Sequence, residues 1–329
     1  MQHNDLPTSL RETILQFSPG MVDDLMTRRI STGFSGLDQA LGGGLSPGLY
    51  VLGAIPNLGK STFALQIAQS ISARGTPVLF FSMEMPASRI ASKLLCRRLY
   101  LNTGDPRYTA DALLDPESLK DTALWAKITA AREQVAKECE DLYVIQRGRR
   151  VYSASDVAAA VERFMDQKIP RPKPVVMVDY LQILSADRAL GPLTSDRAVV
   201  DSNIQTLTDL AARRQIPVFV ISAFNRTNYQ APVSMEAFKE SGAIEYAADV
   251  ILGMQLRAVG SRGFDLNAEK AKNPRELEIM ILKQRYGVSG EALHYRYYAA
   301  NDHFEEDSES GRSGGFFPEL PERLSLIHI

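Results

Sequence analysis

Residues Ala54-Ile55-Pro56-Asn57-Leu58-Gly59-Lys60-Ser61-Thr62 join an apolar run, Leu49–Ala54, to a stretch with helical spacing, Thr62–Arg74. Strand, Gly-Lys-Ser turn and helix in that order suit a phosphate-binding loop. Backbone N–H groups and the positive end of the helix cradle a phosphate chain, Lys60 reaches the β- and γ-phosphates, and Ser61 is placed to hold Mg²⁺. A Gly-Lys-Ser triplet in an arbitrary turn would lack this flanking strand and helix. The strict pattern opens with Gly; here the first position is Ala54, with Gly53 one residue earlier. A polyphosphate ligand with Mg²⁺ is what this loop predicts.

The rest of the chain alternates in the same way. Strands are predicted at Pro77–Ser82, Leu142–Gln146, Val175–Val178 and Pro217–Ser222, and helices at Ala87–Leu101 and Val199–Arg214. Later strands, at Val250–Gln255, Leu277–Leu282 and Leu293–Tyr298, follow one another without helical patterns between them. The fold class is therefore α/β, a mostly parallel central sheet covered by helices on both faces, with an antiparallel extension at one edge. Segments 102–119, 187–196 and 257–275 read as loops, and Leu10, Ile14, Leu15 and Phe17 as one short amphipathic helix. Three regions result: a linker over 1–29, a core over 30–306, and a Ser/Gly/Glu-rich flexible tail over 307–329 that ends in apolar LSLIHI.

Two carboxylates stand at strand ends. Four apolar residues, Val175–Val178, run into Asp179, which places an acid where open α/β sheets bind ligands and where Mg²⁺ can be held. Glu84 follows the strand Pro77–Ser82. It either orients and deprotonates an attacking water or merely opens the helix near Pro86, and the residues alone leave both readings open.

In these segments the chain resembles the C-terminal motor domain of the DnaB-type replicative helicases, hexameric enzymes with a RecA-like P-loop ATPase core. Ser31–Leu41 resembles the family's opening segment. Ala54–Thr62 resembles its phosphate loop, which also begins with Ala. Ser82–Met85 resembles the segment carrying its catalytic glutamate, Glu84 here. Asp179-Tyr180-Leu181-Gln182 resembles its second acidic motif. Lys239-Glu240-Ser241-Gly242 and the residues after it, through Asp249, resemble its DNA-facing loop. Lys283-Gln284-Arg285-Tyr286-Gly287, followed by Gly290, resembles its finger motif, in which Lys283 and Arg285 complete a neighbour's active site. The match runs in order over about residues 30–306.

The resemblance implies an ATP-dependent helicase moving on single-stranded DNA as a homo-oligomeric, hexameric ring in the cytoplasm, with replication or loader proteins as partners. Lys239, Glu240 and Gly242 would touch DNA. Two departures stand out. The γ-phosphate sensor, Gln in the family, is Ala223 in Ser222-Ala223-Phe224-Asn225-Arg226, and only about 29 residues precede the core, so the family's N-terminal helical domain is not expected. Ala223 keeps open a nucleotide-dependent DNA- or replisome-binding module with weak ATPase. Leu41-Gly42-Gly43-Gly44-Leu45 keeps open a RadA- or KaiC-like ATPase.

A net charge of −2 argues against a DNA-coating protein, though not against local phosphate contacts. Cys96 and Cys139 form no metal-ligand spacing and suit a reducing compartment, and no apolar run is long enough to span a membrane. Trp125, Cys96 and Cys139 read as packing residues, His294 and His303 show no ligand spacing, and Arg147-Gly148-Arg149-Arg150 reads as a solvated loop.

Overall fold

A computed structural model describes residues 9–16, 18–21, 29–117, 120–146, 148, 152–167, 172–187, 195–225, 229–238 and 242–307. Nine strands form one sheet: β1 (Gly48–Ala54), β2 (Val78–Ser82), β3 (Leu142–Gln146), β4 (Val175–Asp179), β5 (Pro217–Ala223), β6 (Val250–Leu256), β7 (Arg275–Gln284), β8 (Ala292–Tyr298) and β9 (His303–Glu306). Their order is β3-β2-β4-β5-β1-β6-β7-β8-β9. The first six run parallel, and β6 to β9 pair antiparallel. Every residue of β1, β2, β4 and β6 is buried, with no alternation between faces. Such strands need cover on both sides, which is why their sequences are continuously apolar.

The described helices are α1 (Leu10–Gln16), α2 (Ser35–Ala40), α3 (Lys60–Ser72), α4 (Ala87–Thr103), α5 (Thr122–Glu138), α6 (Ala154–Met165), α7 (Asp196–Arg214), α8 (Gly242–Ala247) and α9 (Leu266–Ala271). Most of α3 is buried, including Phe63, Leu65, Ile67 and Ile71, so the helix behind the phosphate loop is a central core element. It opens at Lys60, two residues ahead of the predicted start, because its first turn is polar and escapes the apolar pattern. The α6 helix is marked by a capping box: the Ser153 hydroxyl accepts from Asp156 N–H and the Asp156 side chain accepts from Ser153 N–H.

Three expectations need correction. β8 is not the last strand; the four-residue β9 follows it, too short and polar to give a periodic signal. The loop expected over 257–275 contains α9, capped by Asp265, whose carboxylate accepts from the N–H groups of Asn267 and Ala268. Trp125 is 47% exposed and is no core residue, whereas Cys96 is fully buried in a small satellite core with Leu99, Leu113 and Ile128. The tail after 307 lies outside the described residues.

The last strand ties the two ends of the core together. Glu306 in β9 caps α2: its carboxylate accepts from the N–H groups of Ser35 (2.7 Å) and Gly36 (2.9 Å). Carboxylate acceptance at a helix start satisfies otherwise orphaned donors.

Candidate nucleotide site

Ala54 ends β1 between Ala223 of β5 and Met254 of β6. The loop that follows is held by Leu58, which is fully buried, while Asn57 and Gly59 take left-handed backbone angles (φ 65° and 89°). Gly59 has a second reason to be glycine: a Cβ there would lie 2.7 Å from the Tyr297 ring. Lys60 opens α3 and folds back over the loop, donating to the carbonyls of Ala54 (3.0 Å) and Ile55 (3.1 Å). Burial pulls its ammonium down to about 8, against the opposing pull of the Asp179 and Glu84 charges.

Asp179 stands at the C-terminal end of β4, 1% exposed. Burial pushes its carboxyl up to about 6; Glu84 adds to that shift, while a hydrogen bond from Ser61 and the Lys60 charge oppose it. Its Oδ2 is buried with no hydrogen-bond partner among the described residues. A desolvated carboxylate oxygen of this kind beside a serine hydroxyl fits a hard divalent cation, and Mg²⁺ takes few protein ligands. Among the described residues no cluster of three or more His, Cys, Asp or Glu is built for a metal. The Thr62 hydroxyl is turned into the protein, donating to Asp302 (3.2 Å).

Glu84 lies exposed in the bend between β2 and α4. The start of that helix is capped by Gln146, whose Oε1 accepts from Ala87 N–H (2.7 Å), and not by Glu84. Met83 N–H donates to Asp179 O (2.7 Å), which binds the bend to the end of β4. The fold thus brings Lys60, Ser61, Asp179 and Glu84 together from three elements, within electrostatic reach of one another.

Lys283 and Arg285 are elsewhere. β7 runs antiparallel to β6, and Gln284 pairs with Val250, which itself pairs with Tyr50 at the start of β1. The phosphate loop leaves the other end, at Ala54. Four strand steps, about 13 Å, separate the two levels before any loop is counted. Lys283 donates to the carbonyls of Glu245 (2.6 Å) and Ala248 (2.8 Å), and Arg285 pairs with Asp249 (2.9 Å). Neither cation faces its own chain's phosphate loop. Lys239, Glu240 and Ser241 lie outside the described residues, and Gly242 opens α8.

Two features were not read from the sequence. Gln182 clamps the end of β5, donating to the Ser222 hydroxyl (2.9 Å) and accepting from Ala223 N–H (3.3 Å). Arg275, at the start of β7, donates to Asn57 O (2.8 Å) at the tip of the phosphate loop. The Asp-Tyr-Leu-Gln motif signalled the first; no local pattern signals the second. Ala223 itself pairs with Ala54, so it borders the loop with a methyl group, which cannot hydrogen-bond a phosphate. Ala223→Gln is therefore expected to raise DNA-stimulated hydrolysis, measured as ATP turnover with and without single-stranded DNA. An unchanged ratio in a native protein already strongly stimulated would move coupling to another residue, Asn225 being nearest.

A model of the family "DnaB-like helicase C terminal domain" matches residues 29–306. The replicative DNA helicase DnaB of Geobacillus stearothermophilus is 28% identical over 266 residues, covering 79% of this chain and 53% of that protein. Its Haemophilus influenzae counterpart is 29% identical over 277 residues, with 79% and 52% covered. The chain thus spans about half the length of these curated relatives. One solved ATPase domain superposes with a TM-score of 0.73 at 20% identity, covering 92% of this chain and 99% of that one. A DnaB-like replicative helicase solved in a study of its interactions with primase gives 0.71 at 20% identity, covering 91% and 67%. These superpositions establish the RecA-like fold.

Proposed function

The chain belongs to the DnaB-like helicase C-terminal domain family, and from that membership we propose that it is an ATP-hydrolysing motor that assembles into a ring, hexameric as its resemblance implies, and moves on single-stranded DNA. One observation carries the reading. Lys60, Ser61, Asp179 and Glu84 gather at one end of the sheet, while Lys283 and Arg285 stand at the other, away from their own chain's loop, and this supports a site completed by another copy.

In this reading the loop Ala54–Thr62 binds the phosphates through its backbone N–H groups and Lys60. Ser61 and Asp179 would hold Mg²⁺, which when bound neutralises phosphate charge. Glu84 accepts the proton of the attacking water, and a neighbour's Arg285 with Lys283 stabilises charge developing on the phosphoryl oxygens. Residues 30–306 form the motor unit, and Lys239 with the backbone N–H groups of Glu240 and Gly242 takes the strand's phosphates. Loader or replication proteins are its expected partners and the cytoplasm its expected compartment. Among the described residues no helix is long and apolar enough to cross a membrane. Ala223 supports a second reading, a slowly hydrolysing DNA-binding ring.

ATP turnover with and without single-stranded DNA, run beside a native mass measurement, tests the proposal. A multi-subunit ring whose turnover rises on DNA is expected. A monomer that hydrolyses ATP at a rate indifferent to DNA would overturn it.

A further inference from the structure

The first turn of α3 is anchored from the far edge of the sheet. Thr62 sits there directly after Lys60 and Ser61, 4% exposed, and its hydroxyl donates to Asp302 Oδ1 at 3.2 Å. The same carboxylate oxygen accepts from Lys93 of α4 at 2.5 Å, and Lys93 also donates to the Thr62 hydroxyl at 3.3 Å. Side chains from three distant segments thus close one largely buried triangle. Asp302 is buried and follows the single helical turn Ala299–Asn301 between β8 and β9. That turn is held in its own right: the Asn301 amide donates to the carbonyls of Pro106 (3.1 Å) and Tyr108 (2.8 Å), just beyond α4. One turn further along α3, Gln66 donates to Phe304 O (2.9 Å) and accepts from Phe304 N–H (2.9 Å). Thr62 and Gln66 are four residues apart, on one face of the helix. The end of the sheet therefore grips α3 at two successive turns, and the second grip, made by the backbone of Phe304, does not depend on Asp302.

We propose that Asp302 is a positioning residue of the nucleotide site: it holds the Thr62 hydroxyl and so fixes the first turn of α3, whose N–H groups receive the phosphates of a nucleoside triphosphate, and through Lys93 it ties that turn to the helix that follows Glu84. The inference rests on the nucleotide reading above. Asp302 does not itself meet the phosphates; it acts through Thr62. A buried ion pair adds little net stability over apolar packing of the same shape, so what the Lys93–Asp302 pair supplies here is placement. A helix start receives an anion through several N–H groups at once, and a small rotation of that turn misdirects all of them together. Gln66 fixes the helix one turn away, and Asp302 fixes the turn where the phosphates bind.

The test measures affinity for a fluorescent ATP analogue with Mg²⁺ on the full chain, with thermal melting beside it. Asp302 has a left-handed backbone (φ 51°), so Asp302→Gly removes the carboxylate without straining the turn. That variant and Thr62→Val, which removes the same hydrogen bond from its other end, are each expected to weaken the analogue by about tenfold, the worth of one hydrogen bond. Asp302→Asn, which keeps an oxygen for the Thr62 hydroxyl, is expected to recover most of the loss. Because both residues act through one bond, the double variant Asp302→Gly, Thr62→Val should bind no worse than either single variant. Losses that add in full, or binding within about twofold of native in either single variant, would overturn the positioning role. Thr62→Val decides the matter where Asp302→Gly does not fold. Native binding indifferent to Lys60→Ala would instead bring down the nucleotide reading, and this inference with it.

Discussion

Two proteins that are each nearly inactive, Arg285→Ala and Glu84→Gln, are expected to regain activity when mixed. Alone, Glu84→Gln keeps ATP bound and lowers turnover by about 10²-fold or more, the usual loss with a general base. Alone, Arg285→Ala removes a finger worth about 10³–10⁵ in rate. In a head-to-tail ring assembled from equal amounts, roughly a quarter of the interfaces pair an intact Glu84 with an intact Arg285. The physical ground is the sheet: Gln284 lies level with Val250 at the start of the parallel strands, and the phosphate loop departs from their other end. Within one chain the two cannot meet. Turnover of the mixture, measured against each protein alone at the same total concentration, should rise well above both. No recovery in mixtures that native mass shows to be mixed rings would sink the shared site.

Lys60→Ala is expected to cut ATP affinity by about 10²-fold or more, measured with a labelled analogue. In the structure Lys60 holds its position by donating to the carbonyls of Ala54 and Ile55, both parts of the loop it closes over. The ammonium is desolvated there, and burial already works against its charged form. Removing it therefore takes away a cation poised for phosphate and is not expected to unfold the protein. Thermal melting checks that second half. Equal affinity in native and Lys60→Ala proteins would remove the site from this loop.

The segment Ala54–Thr62 is legible from its own residues because its chemistry is local. An apolar run, a left-handed glycine and a polar first helical turn follow one another within a few positions, so they specify a strand, a cradle and a helix start with little help from elsewhere. Asp179 is legible for the same reason, as the acid that ends a continuously apolar strand. The parallel order of the sheet follows from strands with no polar face. Glu84 stands between two readings in the sequence; what the fold adds is its place beside Asp179 on the neighbouring strand, where Met83 N–H to Asp179 O ties the bend to the end of β4.

Registry across distant segments is a different matter. Arg275 reaches Asn57 over 218 residues of chain, and Lys270 lies on a helix inside what reads as a loop. Neither position carries a period or a motif. The level of Lys283 and Arg285 along the sheet depends on the antiparallel pairing of β6 with β7, including an irregularity between Ile251 and Leu252. A one-residue slip in such a pair turns every side chain to the other face. The kind of site is thus written in consecutive residues, because a phosphate cradle is built from one strand end, one turn and one helix start. Which charged residues lie beside the loop Ala54–Thr62, and which lie at the far end of the sheet, is set by strand register, a property that emerges only when segments hundreds of residues apart pair in the folded sheet.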